Sequence, residues 1–169
     1  MTGIDPTPGV RLRPACAADA RAIGALLDSL LQATPYAELI RSRLDVALRA
    51  PGGDAASIAA TVLEEGASIR AIALHGFVAG AERAGMLHFV GVSDAYRRCG
   101  LGRSLVRASV DRLARDGARF VIAELPGEPR LRAGEALLRE ERFVVEARIP
   151  ELYREGVDLV ILRRWLRPG

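Results

Sequence analysis

The sequence contains no lysine, so all 24 of its basic residues are arginine. A P-loop uses a lysine to reach the outer phosphates of a nucleoside triphosphate, and its absence argues against that class of site. Cysteine is also scarce, because only Cys16 and Cys99 are present, without the paired spacing of a zinc site or a disulfide framework. We therefore expect no metal ion and no structural disulfide, as in a protein of a reducing cytoplasm.

Long apolar runs and aromatic residues are few. No window approaches the roughly 18 apolar residues of a membrane span, and the first residues lack a secretory signal, so we expect a cytoplasmic protein without a membrane partner. The net charge is only +3 because 21 carboxylates are interspersed with the arginines, and aromatic residues make up 5% of the chain. This pattern, without blocks of like charge, predicts no nucleic-acid partner.

The length of 169 residues suits one domain that buries roughly 70% of its unfolded surface. We predict a single domain over residues 1–169, with a disordered N-terminus at residues 1–8. Hydrophobic periodicity and turn residues predict the following order: strand 10–13, helices 19–31 and 35–50, strands 57–63, 68–79 and 86–92, helix 101–116, strand 119–125, helix 131–141, and strands 143–148 and 157–166.

The most informative segment follows the predicted strand at 86–92. A short turn leads into residues 97–103, Arg-Arg-Cys-Gly-Leu-Gly-Arg, which open an amphipathic helix. Glycines let the backbone approach a ligand closely, and a helix start offers free N–H groups at the positive end of the macrodipole. The segment therefore predicts a site for phosphate or pyrophosphate. Leu105 stands where a dinucleotide-binding fingerprint needs its third glycine, which weakens that alternative.

This loop and the order of elements carry a resemblance. Arg97, Gly100 and Gly102 fill the pattern Arg/Gln-x-x-Gly-x-Gly/Ala, which resembles the pyrophosphate loop of acyl-CoA-dependent N-acetyltransferases of the GNAT superfamily. The predicted topology is similar to that superfamily over nearly the whole chain. Residues 143–153 resemble the C-terminal strand and tyrosine-bearing stretch of ribosomal-protein N-acetyltransferases and their small-molecule relatives. The resemblance implies a mixed α/β (α+β) GNAT fold, a mainly antiparallel sheet of about six or seven strands with about four helices on its faces.

The resemblance implies acetyl-CoA as cosubstrate, held by two segments. In the superfamily the fourth strand separates from the fifth, so the backbone of Val90 and Val92 would bind the pantetheine arm. The loop would bind the pyrophosphate mainly through N–H groups, with Arg98 and Arg103 adding charge at its rim. The alternative for these arginines is a solvated helix start. The loop residues implied as cofactor-binding are Arg97, Arg98, Cys99, Gly100, Leu101, Gly102, Arg103 and Ser104.

The chemistry implied is direct attack of an amine on a thioester, which benefits from a base, an oxyanion donor and a proton for the thiolate. Glu124 is the candidate base, since it interrupts an apolar run at the carboxyl end of the strand after the loop helix. It also matches a glutamate used as base in some members of the superfamily; the alternative is a carboxylate paired with an arginine. His88 shares side-chain parity with Val90 and Val92, and is either a second catalytic candidate or a hydrogen-bonded core histidine.

The proton donor departs from the pattern of the superfamily. Many relatives carry a tyrosine on the last helix, but here Leu138 stands at that position, and Arg142 replaces the glycine of a following Gly-Phe pair. Tyr153 is the remaining candidate acid, with a packing or substrate-contact role as the alternative. Cys99 is expected to be structural, because no partner base is identifiable.

We predict an N-acetyltransferase that acts on a primary amine of a small molecule, as a monomer or homodimer. The alternatives are a protein or peptide amine as acceptor, or a non-catalytic acyl-CoA-binding or sensing module. The resemblance implies that the segment 31–53, which contains the second helix, covers the acceptor pocket and sets its specificity. There Arg41, Arg43 and Arg49 either point to an acidic group on the acceptor or form a solvated helix face.

Overall fold

A computed structural model of the protein describes residues 9–31, 34, 36–49 and 58–166. The strands are β1 (Val10–Pro14), β2 (Ala59–Glu65), β3 (Ser68–Phe77), β4 (Ala84–Val92), β5 (Phe120–Pro126), β6 (Val144–Arg154) and β7 (Val157–Trp165). The helices are α1 (Ala20–Leu30), α2 (Ala37–Arg49), α3 (Leu101–Arg115) and α4 (Arg132–Glu140). The order predicted from the periodicity is thus present.

The main error of the prediction is the length of the sixth strand. It was expected to end at residue 148, but β6 continues to Arg154, with a register irregularity between Ile149 and Arg154. β6 lies at the edge of the sheet. Pro150 has no N–H to donate, and an edge strand tolerates this because no further strand lies on its outer side. The predicted disordered N-terminus at residues 1–8, the two ends of the predicted helix 35–50 and the start of the predicted strand at residue 57 lie outside the described residues.

The strands form one sheet in the order β1-β2-β3-β4-β5-β7-β6. Neighbouring strands are antiparallel except β4 and β5, which are parallel. Successive residues of a strand point to opposite faces, so Val62 and Ile72 pack in the cluster of α1 and α2, while Leu63 and Ala73 pack with α3. The helices therefore cover both faces of the sheet. No helix among the described ranges combines the length and apolar character needed to cross a membrane.

Candidate active site

The parallel strands β4 and β5 separate after four paired residues. Their pairing runs from Ala84 opposite Phe120 to Leu87 opposite Ala123 and then stops. β4 nevertheless remains paired with β3 as far as Val92. The backbone of residues 88–92 therefore has no partner strand on the β5 side within the described chain. A gap of this kind, which the resemblance implied, can hydrogen-bond an extended ligand as an added strand would.

The loop that follows β4 turns sharply into α3. Arg98 and Gly100 have φ angles of +62° and +83°, in the left-handed region that glycine adopts at little cost. Gly100 is the N-cap of α3, so the unpaired N–H groups of the first helical turn come directly after it. Leu101 is only 1% exposed and packs with Leu105, which fixes the helix start against the sheet.

Gly102 shows how closely the loop packs. A Cβ atom at this position would lie 3.1 Å from Leu137 Cδ2 on α4 and 3.6 Å from Val92 Cγ2 on β4. A methyl group here would need Leu137 to give way slightly, and a larger side chain would displace it further, so close approach favours a very small residue. The free N–H groups, the glycines and the separated strands together fit the pyrophosphate and the pantetheine arm of an acyl-CoA.

One cavity of about 1070 Å³ connects the gap with the loop and with the predicted catalytic residues. The predicted site residues that line it are Val90, Val92, Arg97, Arg98, Gly100, Gly102, Arg103, His88, Glu124 and Tyr153. Cys99, Leu101 and Ser104 do not line it. Leu101 belongs to the core, and Cys99 is exposed with its Sγ atom 3.6 Å from the carbonyl oxygen of Arg97.

The three loop arginines differ in their ion pairs. Arg97 contacts Asp94 at 2.7 Å. Arg103 contacts Glu140 and, at 3.2 Å, the buried Glu141. Arg98 has no carboxylate partner within the described part of the chain, so its positive charge remains available to a ligand.

Glu124 and Tyr153 lie at the other end of the cavity. The Glu124 side chain is exposed and has no ion pair with any described arginine, in contrast to the alternative considered above. The Tyr153 ring packs edge-on against Tyr36, with ring centroids 5.1 Å apart. Burial, followed by the negative charge of Glu124, raises the pKa of Tyr153. Tyr153 therefore carries its phenolic proton at neutral pH.

His88 is half-buried in the cavity wall. Neither of its ring nitrogens has a hydrogen-bond partner among the described residues, so the interpretation as a hydrogen-bonded core histidine finds no support there. Burial, and then the positive charge of Arg43, lower the pKa of His88 to about 4. The ring is therefore neutral at physiological pH and can accept a hydrogen bond from a ligand.

The position of the missing tyrosine is filled by the core. Leu138 on α4 is 5% exposed and packs in the cluster of Phe143 and Val106. The remaining candidate acid, Tyr153, lies on β6 instead. Its partner Tyr36, which the sequence analysis missed, precedes α2 and contacts a residue more than a hundred positions away. No local signal reports such a contact. The described residues contain no group of His, Cys, Asp and Glu side chains that could hold a metal ion.

Solved structures similar to this chain share its fold. A GNAT-family protein from Desulfovibrio desulfuricans is 24% identical, with a TM-score of 0.82 over 92% of this chain and 98% of its own. A ribosomal-protein-alanine N-acetyltransferase from Brucella melitensis is 20% identical, with a TM-score of 0.74 over 92% and 99%. YncA from Salmonella typhimurium, solved with its cofactor acetyl-CoA, is 20% identical, with a TM-score of 0.72 over 95% and 96%.

No match was found among curated proteins. The structural similarity confirms the predicted GNAT fold. The model of the acetyltransferase (GNAT) family matches residues 25–133, which include α2, the gap between β4 and β5, the loop and Glu124. The chain therefore belongs to the acetyltransferase (GNAT) family.

Proposed function

We propose that this protein transfers the acetyl group of acetyl-CoA to a primary amine of a small molecule. The observation that carries the proposal is the single cavity that joins the separated strands, the glycine loop and Glu124. One end has unpaired backbone and a helix start suited to an acyl-CoA, and the other has a carboxylate suited to an amine. The predicted single domain, cytoplasmic location and monomeric or dimeric state accompany this proposal as further predictions.

Binding of the cosubstrate is assigned to the backbone. The unpaired groups of residues 88–92, including those of Val90 and Val92, would hydrogen-bond the pantetheine arm. The first-turn N–H groups after Gly100 would hold the pyrophosphate, with charge from Arg98. Bound acetyl-CoA supplies an activated acetyl group on a thiol that is a good leaving group.

The side chains of Glu124 and Tyr153 would accept and donate the protons that the reaction moves. A primary amine is mostly an ammonium ion at neutral pH, and Glu124 accepts its proton, directly or through a water molecule. The nitrogen lone pair then forms a C–N bond with the thioester carbonyl carbon as the C–S bond breaks. N–H groups of the unpaired β4 backbone stabilise the negative charge on the carbonyl oxygen. Tyr153 donates its phenolic proton to the departing sulfur and takes the remaining proton of the nitrogen.

Two other functions have an observation in their favour. Leu138 leaves α4 without the usual acid, which favours an acyl-CoA-binding module without turnover. The similarity to a ribosomal-protein-alanine N-acetyltransferase favours a peptide amine as acceptor. Both would use the same cosubstrate site, so they differ from the main proposal only in what happens at the Glu124 end.

Calorimetric titration with acetyl-CoA, followed by a thiol-release assay on small amines and N-terminal peptides, separates these functions. Micromolar binding with thiol release from a small amine supports the proposal. Turnover confined to peptides indicates the protein acceptor, and binding without any turnover indicates the binding module. Absence of acetyl-CoA binding would refute the assignment of the loop and the gap.

A further inference from the structure

Arg43 is the charged residue of α2 that faces the cavity. The buried stripe of this helix consists of Ile40, Leu44, Ala47 and Leu48. Arg43 lies beside that stripe, half-buried, and lines the cavity together with Leu39 and Ile40. The two other arginines of the helix do not line it. Arg43 therefore faces the cavity, whereas Arg41 and Arg49 belong to the solvated face of the helix.

Arg41 provides the contrast within the same helix. Its guanidinium pairs with Asp28 of α1 at 2.5 Å, and both side chains are largely exposed. Arg43 has no carboxylate within 4.0 Å among the described residues. Many arginines elsewhere in the fold contact a carboxylate, whereas Arg43 is half-buried and faces the cavity without one among the described residues. Removing such a group from water is costly unless an anion or several acceptors replace the water.

The polar groups around Arg43 are not acidic. His88 is neutral, and neither of its nitrogens has a partner in the described chain. The buried Thr34 hydroxyl also lines the cavity and is unpartnered there. The negative group at this end of the cavity is Glu124. Tyr153 experiences both charges, since Glu124 raises its pKa and Arg43 lowers it. Of the described residues that line this end of the cavity, Arg43 is therefore the positive one and Glu124 the negative one.

We propose that Arg43 binds a carboxylate of the acceptor while Glu124 faces its amine, so the substrates are small amines that also carry a carboxylate, such as amino acids. The inference rests on the proposed acetyl transfer to a small amine. A planar guanidinium suits a carboxylate because it can donate two parallel hydrogen bonds. His88 and Thr34 have the free polar atoms to contact the remainder of such a ligand. A phosphonate shares the negative charge, and the experiment compares the two anions directly.

The test uses pairs of acceptors in which an uncharged amide replaces the carboxylate. Each kcat/KM is referred to the fraction of neutral amine, because the amide lowers the pKa of the neighbouring amine. Glycine, β-alanine, γ-aminobutyrate and leucine are each compared with the corresponding amide, and β-alanine also with aminoethylphosphonate, at saturating acetyl-CoA. The measured quantity is the ratio of kcat/KM for acid and amide in the wild-type protein and in Arg43→Gln. Arg41→Gln is the matched control, and Arg43→Lys retains the charge without the planar fork.

We expect the wild-type protein to prefer at least one acid over its amide. Arg43→Gln should lower that preference about ten- to a hundredfold, the range for a hydrogen bond to a charged group, through KM of the acid. Calorimetric binding of acetyl-CoA should stay unchanged, and kcat/KM of the amide should fall less than that of the acid. Arg43→Lys should retain part of the preference, and Arg41→Gln all of it. A higher kcat/KM for β-alanine than for the phosphonate supports the carboxylate, and the reverse order refutes it.

Two outcomes would overturn the inference while leaving the proposed function in place. The first is equal use of acids and amides by the wild-type protein, and the second is an unchanged preference in a folded Arg43→Gln variant. Circular dichroism confirms the fold of each variant. Thiol release from none of the amines, with acetyl-CoA bound, refutes the proposed acetyl transfer itself and the inference with it.

Discussion

Two histidines, the buried His75 and the half-buried His88, should make the fold sensitive to mild acid. His75 on β3 is 3% exposed, and burial, followed by the charge of Arg112, lowers its pKa to about 4, with Asp116 acting in the opposite direction. The pKa of His88 is lowered to about the same value. An unfolded chain protonates each histidine near pH 6.5, whereas the folded protein does so only near pH 4. The unfolded state therefore binds more protons between these values, and stability falls as the pH falls.

The size of the effect follows from the two pKa values. At pH 5 a histidine with these values costs about 2 kcal/mol of unfolding free energy relative to neutral pH. For a chain of this length, about 2 kcal/mol corresponds to a fall in Tm of about 4–8 °C from one histidine. Asp19 and Glu128 have pKa values lowered from 3.8 and 4.5, so most of their contribution is lost below this window, as the pH falls past those unfolded-state values.

Urea unfolding followed by circular dichroism at about pH 7.5, 6 and 5 measures how the free energy of unfolding changes with pH. His75→Gln replaces one of the two titrating rings by an amide that does not titrate, so we expect its stability to change by about 2 kcal/mol less than that of the wild-type protein between the extremes. His88→Gln is the matched variant at the cavity wall. The reasoning is refuted if His75→Gln shows the full pH dependence of the wild-type protein.

Three substitutions test the proposed chemistry. Gly102→Val must displace Leu137, and we expect acetyl-CoA affinity in calorimetry to fall at least about tenfold while circular dichroism is retained; unchanged affinity would contradict the loop assignment. Glu124→Gln should lower kcat about a hundredfold or more with acetyl-CoA affinity unchanged, and an unaltered kcat would exclude Glu124 as the base. Tyr153→Phe should lower kcat less, because a thiolate leaves readily without a proton; an effect larger than that of Glu124→Gln would reverse the assigned roles.

The local parts of the fold and site were predictable from the sequence. The glycine loop could be located because the spacing of Gly100 and Gly102 and the periodicity of α3 are contained in about twenty residues. The order of strands and helices followed from the same kind of short-range pattern. The end of β6 was not predictable, because Pro150 normally interrupts a strand and only its position at the sheet edge permits continuation.

The acceptor end of the cavity depends on contacts between distant parts of the chain. Tyr36 meets Tyr153 across the fold, and neither residue carries a signal for the other. Arg41 and Arg43 look alike in the sequence, and the packing of α2 against α1 and the sheet decides that one pairs with Asp28 and the other faces the cavity. The contacts among the residues at this end therefore required the tertiary structure.

The length of the cavity depends on how many residues of β4 and β5 pair with each other. The slot between the two strands begins where their pairing ends, at Leu87 and Ala123, so the position of that last pair sets the length of the slot. One further rung would shorten the slot by about 3.3 Å, and one fewer would lengthen it by the same amount. The reach available to a thioester can thus change through backbone pairing alone, with every side chain that lines the cavity kept the same.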